Sequence, residues 1–235
     1  MRKLGLALAP LPLVAALAAA PSPAHATIRH ITLGGVRVAL HDHTRQVVTV
    51  NHRRGYHAHI AFWVRREGHW HKVYDVSAGR IGYGGLVAPG KRVQGSGTTP
   101  LGTTRLITSF GRHPQATGWD LPYRQIRKGD FWVEDNRSAY YNRYRNQSQG
   151  GFRWWLSPSK VDSSERLRDF PVAYEFSVVT SYNYADQVRH RGAGIFLHVN
   201  GQGATAGCVS APRWFLVAML ERLDPAQVPL MAVGR

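Results

Sequence analysis

Cys208 is the only cysteine of the chain, in Gly203-Ala-Thr-Ala-Gly-Cys-Val-Ser-Ala-Pro212, and His198 lies ten residues before it. A thiolate is the nucleophile of cysteine chemistry, and a nearby imidazole is the usual group that makes and holds it. With no second cysteine, an internal disulfide is impossible, so the thiol of an exported chain is either inert or reactive. Three features favour the reactive reading. His198 closes the apolar run Ile195-Phe196-Leu197, a buried-strand pattern that would hold the ring at a strand end. A helix is expected just after Cys208, with Ser210 as N-cap and Pro212 in its first turn, so that its positive end lies near the sulfur. Gly207 lets the backbone approach a substrate, and the amides of Gly207 and Cys208 could bind an oxyanion. The chemistry this suits is acyl transfer through a thioester. The plain alternative is a buried, inert cysteine beside a surface histidine.

The surrounding elements must hold those groups. Strand patterns run over Gln46–Asn51, Tyr56–Arg66, His69–Asp75, Thr103–Phe110, Phe131–Glu134, Tyr174–Thr180, Gly194–Val199 and Val228–Val233. Helical patterning is confined to a short candidate at Ser163–Phe170 and a better one at Pro212–Leu223. Many short strands with Gly-rich turns predict a mainly β domain, a sandwich or barrel-like arrangement with a few short helices, one of them following Cys208. Residues 27–45 are either an extra N-terminal strand or a loose extension, and 46–235 form the main domain.

Met1-Arg2-Lys3, an apolar Leu4–Ala20 stretch and Ala24-His-Ala26 form a signal-peptide pattern over residues 1–26. Two prolines interrupt the stretch, and it is short against the roughly 20 residues a span needs. The expected mature protein is therefore secreted, periplasmic or wall-associated, with no stable membrane insertion. The chain carries 30 Lys and Arg against 14 Asp and Glu, a formal charge of +16. For an exported protein this favours anionic wall polymers over nucleic acid, and charge alone selects no substrate.

His57 and His59, and His69 and His71, each place two rings on one strand face. If the two strands pair, four rings could converge on a metal. No acid stands at matching spacing, so no metal or cofactor is expected. Tyr140, Tyr141, Tyr144, Trp154 and Trp155 alternate with Arg143, Arg145 and Arg153, which suggests either core and solvated face or a lid beside the site.

With these residues in view, the chain resembles the L,D-transpeptidases with a YkuD-type catalytic domain. Phe196-Leu-His198 and Thr205-Ala-Gly-Cys-Val-Ser210 are similar to the family's histidine and nucleophile segments. Gly97-Thr-Thr-Pro-Leu-Gly-Thr-Thr-Arg-Leu106 resembles its Thr-Pro-x-Gly strand entry. Gly79–Gly82 through Gly90-Lys91, Tyr141-Asn142 and Ser181-Tyr-Asn183 resemble a secreted subgroup, so the likeness covers roughly residues 46–235. Ala206 stands where many members have His, and Ser210 where many have Asn or Arg, so contacts tied to that His have no counterpart here.

The resemblance implies a β-sandwich fold and a cysteine acyltransferase acting on peptidoglycan stem peptides. Cys208 would be the nucleophile, His198 the proton donor and acceptor, and Gly207 part of the oxyanion hole. Thr205, Ser210 and Arg213 are candidate substrate contacts. Hydrolysis by an L,D-carboxypeptidase, or wall binding without catalysis, are the competing functions.

Overall fold

Strands with two apolar faces must be covered on both sides, and this chain builds its fold around several of them. The computed structural model describes residues 28–235; the signal-peptide expectation for residues 1–26 lies outside the described residues. The elements that matter for the site begin with β1 (Arg29–Leu33), β2 (Val36–Leu40), β3 (Gln46–His52), β4 (His57–Arg66), β5 (His69–Arg80) and β6 (Gly102–Gly111). They continue with β7 (Asp130–Trp132), β8 (Glu165–Arg166), β9 (Phe176–Thr180), β10 (Phe196–Val199), β11 (Val209–Ala211), α1 (Arg213–Leu220) and β12 (Leu230–Gly234).

The protein is mainly β. Strands β9, β10, β11, β5, β4, β3, β12 and β6 follow one another edge to edge, and β6 also pairs with β9, Ser109 opposite Val178. The sheet therefore closes on itself and exposes no long edge between these strands. The pairs β10–β11 and β3–β12 are parallel, and the other ring pairs are antiparallel.

Alternate side chains of the ring strands, including Val48, Ile60, Phe62, Val178, Leu197, Val209 and Met231, meet in one buried cluster. Helix α1 adds Phe215, Leu216, Met219 and Leu220 to it. The opposite face of the ring carries two further clusters. Val47, Leu230 and Ala232 lie under the β1–β2 hairpin with Leu33, Val36, Val38 and Leu40. Residues 27–45 thus contain a packed hairpin, turned at Gly34 and Gly35, both with positive φ. The other outer cluster joins Phe110, Val179, Phe196 and Cys208 to Trp132, Tyr141, Leu167 and Tyr174. Phe196 meets Phe110 and Trp132 edge to face, with centroids 5.1 and 4.8 Å apart. Burying each such ring contributes about 1.5–3 kcal/mol.

Two local expectations are corrected, and the histidine pairs can be placed. The Ser163–Phe170 helix is instead the short strand β8, with Glu165 opposite Trp132, followed by one 3-10 turn at Leu167–Asp169. Pairing with β7 and burial of Leu167 override a weak local helix preference. Val209–Ala211 is a strand, so the following helix begins at Arg213 with Pro212 at its N-cap and no side-chain cap. Finally, β4 and β5 do pair, but His57 stands opposite Arg80 while His71 stands opposite Val64. The two histidine pairs are at opposite ends of the hairpin and do not converge; His59 binds Asp75 at 2.8 Å. Among the described residues no helix is long and apolar enough to cross a membrane.

Candidate active site

The doubly buried strand β10 sends Leu197 and Val199 into the inner cluster and Phe196 and His198 to the outer face. Its parallel partner β11 is in register with Leu197 opposite Val209 and His198 opposite Ser210. Cys208 precedes Val209 and joins Phe196 in the outer cluster. Thiol and imidazole therefore share one face of two adjacent strands, offset by two residues along them.

His198 is 7% exposed, and its ring meets the Tyr174 ring edge-on, 5.7 Å between centroids. Its Nδ1 lies 2.8 Å from the Val199 carbonyl oxygen. A carbonyl can only accept, so Nδ1 carries the proton and Nε2 keeps its lone pair. Burial lowers the imidazole pKa to about 4, against a smaller upward pull from that carbonyl bond.

Cys208 is 9% exposed. Its Sγ donates to the Gly194 carbonyl at 3.1 Å and accepts from the Phe196 amide at 3.4 Å. Burial pushes the thiol pKa well up, and the charge of Glu165 adds to the rise; the Phe196 amide and Arg92 oppose it, and Glu134 raises it further. The resting pair is thus a neutral thiol beside a neutral imidazole. The expected activation by a capped helix is absent: α1 starts five residues beyond Cys208 and packs on the inner cluster. Iodoacetamide should accordingly label Cys208 of the folded, unliganded protein at least ~10-fold more slowly than a free cysteine at about pH 8, with the rate still rising above about pH 9. A labelling midpoint near neutrality would show an ionised resting thiol instead.

The loop before Cys208 is held by hydroxyls. Thr205 Oγ1 donates to the Cys208 carbonyl at 2.6 Å and accepts from the Gly207 amide at 3.2 Å. Thr99 Oγ1, from the Thr-Pro-Leu-Gly segment, donates to the Gly207 carbonyl at 2.8 Å and accepts from the Gly82 amide at 2.8 Å. Gly207 needs its missing side chain: φ is +130°, and a Cβ would lie 2.7 Å from Nη2 of Arg92. In the resting protein the Gly207 amide is engaged by Thr205 rather than free for an oxyanion.

Two candidate contacts are engaged by other side chains of the protein. Ser210 is 1% exposed, and its hydroxyl donates to Asn200 Oδ1 at 2.7 Å. Arg213 binds Glu175 through Nε, 3.0 Å from each carboxylate oxygen, and lies over Phe176. Their positions follow from strand β11 and from α1 facing the inner cluster.

Sequence reasoning missed four residues beside the thiol. Arg92 is 5% exposed and donates to the carbonyls of Thr98 at 2.8 Å and Arg191 at 3.1 Å. Tyr174 donates to Glu165 Oε2 at 2.6 Å. Glu134 and Glu165 both have pKa values raised, chiefly by burial; Glu165's charge raises Glu134's further, while Arg92 opposes it. A cavity of about 780 Å³ opens over these carboxylates, with Gln94, Trp154, Lys160 and Phe170 among its walls. Only the Gly90-Lys91 segment, adjacent to Arg92, carried any prior signal.

A buried thiol whose neighbouring imidazole makes no Nε2 hydrogen bond among the described residues is equipped for acyl transfer with one shuttled proton. A family model, YkuD, the L,D-transpeptidase catalytic domain, matches residues 45–229. The chain belongs to that family. Searches of curated proteins and of solved structures found no match.

Proposed function

We propose that the protein is a secreted or wall-associated L,D-transpeptidase that opens an L–D peptide bond in a peptidoglycan stem and passes the acyl group to an amine. The observation that carries the proposal is the same-face placement of Cys208 and His198, with no Nε2 hydrogen bond among the described residues, in a chain of this family. As Sγ attacks the carbonyl carbon, its proton moves to Nε2. Collapse of the tetrahedral adduct breaks the C–N bond, and the imidazolium protonates the departing amine, leaving a thioester on Cys208. An acceptor amine then attacks the thioester, loses a proton to Nε2 and releases Sγ, which takes that proton back.

Keeping both partners neutral until substrate arrives avoids a buried ion pair in the free protein. Substrate supplies the remaining stabilisation, with Arg92 the buried cation next to the nucleophile loop. Gly207 serves the oxyanion only if its amide leaves Thr205, and Thr205 is assigned to shaping the loop. The strongly basic chain favours approach to anionic wall polymers.

Intact-mass analysis with a purified disaccharide-tetrapeptide tests this. An acyl adduct that has lost the terminal D-residue and maps to the Cys208 peptide is expected, followed by cross-linked dimers. Tripeptide without dimers would make the protein a hydrolase. No adduct from folded protein with any stem chemistry would overturn the acyl-transfer reading.

A further inference from the structure

Glu134 and Glu165 are the anomaly of this surface. In a chain dominated by Arg and Lys, no Lys, Arg or His nitrogen among the described residues lies within 4.0 Å of either carboxylate. Lys160 and Arg166 line the same cavity without reaching them. The Glu134 carboxylate accepts no hydrogen bond from the described residues, and that of Glu165 accepts only the Tyr174 hydroxyl. Half-buried acids without a cationic partner, lining a cavity in a strongly basic protein, are a mark of binding sites.

Their position is tied to the nucleophile. A side chain on Gly194 would meet Glu134 Oε1 at 3.3 Å, Trp132 Cδ1 at 3.1 Å and Phe196 Cζ at 3.2 Å. Gly194 is the residue whose carbonyl accepts the Cys208 thiol. Glu165 reaches the same place through Tyr174, which joins it to the His198 ring. Both carboxylates also form part of the wall of the 780 Å³ cavity, with Trp154 and Phe170 as apolar surfaces. A metal is disfavoured, since no three His, Cys, Asp or Glu side chains cluster among the described residues.

We propose that Glu134 and Glu165 form an ammonium subsite, which seats a primary amine of the substrate beside Cys208. This rests on the acyl-transfer reading and adds a substrate requirement to it. A cationic group entering the cavity supplies the partner that both carboxylates lack, while the aromatic walls take its alkyl chain.

The first test uses no transfer chemistry. n-Butylammonium chloride is titrated into the protein by ligand-observed NMR, with 1-butanol as the neutral control. Butylammonium is expected to bind saturably below ~100 mM and 1-butanol about tenfold more weakly, with the amine's affinity falling at high salt. Glu134→Gln and Glu165→Gln, made singly so that one folded variant suffices, should each weaken the amine about tenfold and leave 1-butanol unchanged. Equal binding of alcohol and amine, unchanged amine binding in both variants, or no saturation would overturn the subsite.

The second arm locates the amine. If it belongs to the acyl donor, acetylating the stem's side-chain amine raises KM for Cys208 acylation. If it belongs to the acceptor, the Gln variants acylate normally and lose aminolysis. No change in either half-reaction overturns the assignment. A protein that binds butylammonium but is acylated by no stem peptide would sink the transfer reading alone.

Discussion

Cys208→Ala protein is expected to fold as the wild type does and to form no acyl adduct, with transfer down by at least ~10⁴-fold. One hydroxyl on that face is unpartnered among the described residues, that of the buried Ser177 opposite His198, and a hydroxyl is far harder to ionise than a thiol. Phe196, Trp132 and Val179 are apolar, the Tyr174 hydroxyl is given to Glu165, and the Ser210 hydroxyl to Asn200. The substitution removes one sulfur and its weak bonds to Gly194 and Phe196, a loss of about 1 kcal/mol. Cys208→Ser should be similarly silent, because a hydroxyl is far harder to ionise and the imidazole beside it is a weak base. Measured by intact mass and thermal melting, an adduct on Cys208→Ala protein would remove the thiol from the mechanism.

His198→Gln should lower transfer by about 10²–10⁴-fold, the usual worth of a placed general acid–base group. It has a second signature. The imidazole titrates at about 4 in the fold against 6.5 in a model peptide, so below 6.5 the unfolded chain binds the extra proton. Stability from this group is complete above pH 6.5 and is lost as pH falls toward 4, an amount of about 3 kcal/mol at the limit. Glutamine has no such titration, so the variant should lose less stability than wild type on acidification. Glu134 and Glu165 act in the opposite direction: their raised pKa values give stability at low pH that is lost as pH rises. Comparing wild type with His198→Gln at two pH values isolates the histidine. Identical acid sensitivity in both proteins would contradict a neutral, buried ring.

Much of the scaffold is readable from local pattern. The all-apolar runs at Val47-Val48 and Ile195-Phe196-Leu197 mark strands buried on both faces, and both occupy the ring with a covering layer outside. The segment His30–Leu40 also alternates, but nothing local says that its apolar side belongs on β3 and β12. Ser210 carried a helix-cap signal because Pro212 follows so closely; pairing of Val209–Ala211 with β10 kept it a strand. Glu165 looked helical and Glu134 looked like a strand end. Their meeting depends on the pairing of β7 with β8 and on the approach of Gly194, contacts across 30 to 60 residues that no window of sequence contains. Burial decides protonation in the same way. The sequence pointed to the thiol–imidazole pair, but its neutral state follows from the layer of Trp132, Tyr141, Leu167 and Tyr174 laid over it.

Strand β12 lies between β3 and β6, parallel to the first and antiparallel to the second. Those two strands are joined only through it, since the other route around the ring runs through β4, β5, β11, β10 and β9. A chain still being synthesised, with Leu230–Gly234 inside the ribosome, has all the other ring strands and no means of closing them. The hairpin would also lack Leu230 and Ala232, two of the three buried ring residues beneath it. Closing the ring thus waits on contacts between Gln46–His52 and Leu230–Gly234, nearly the whole described chain apart, and such long-range pairing is slow. The described domain therefore stays open until Leu230–Gly234 has docked between its two neighbours.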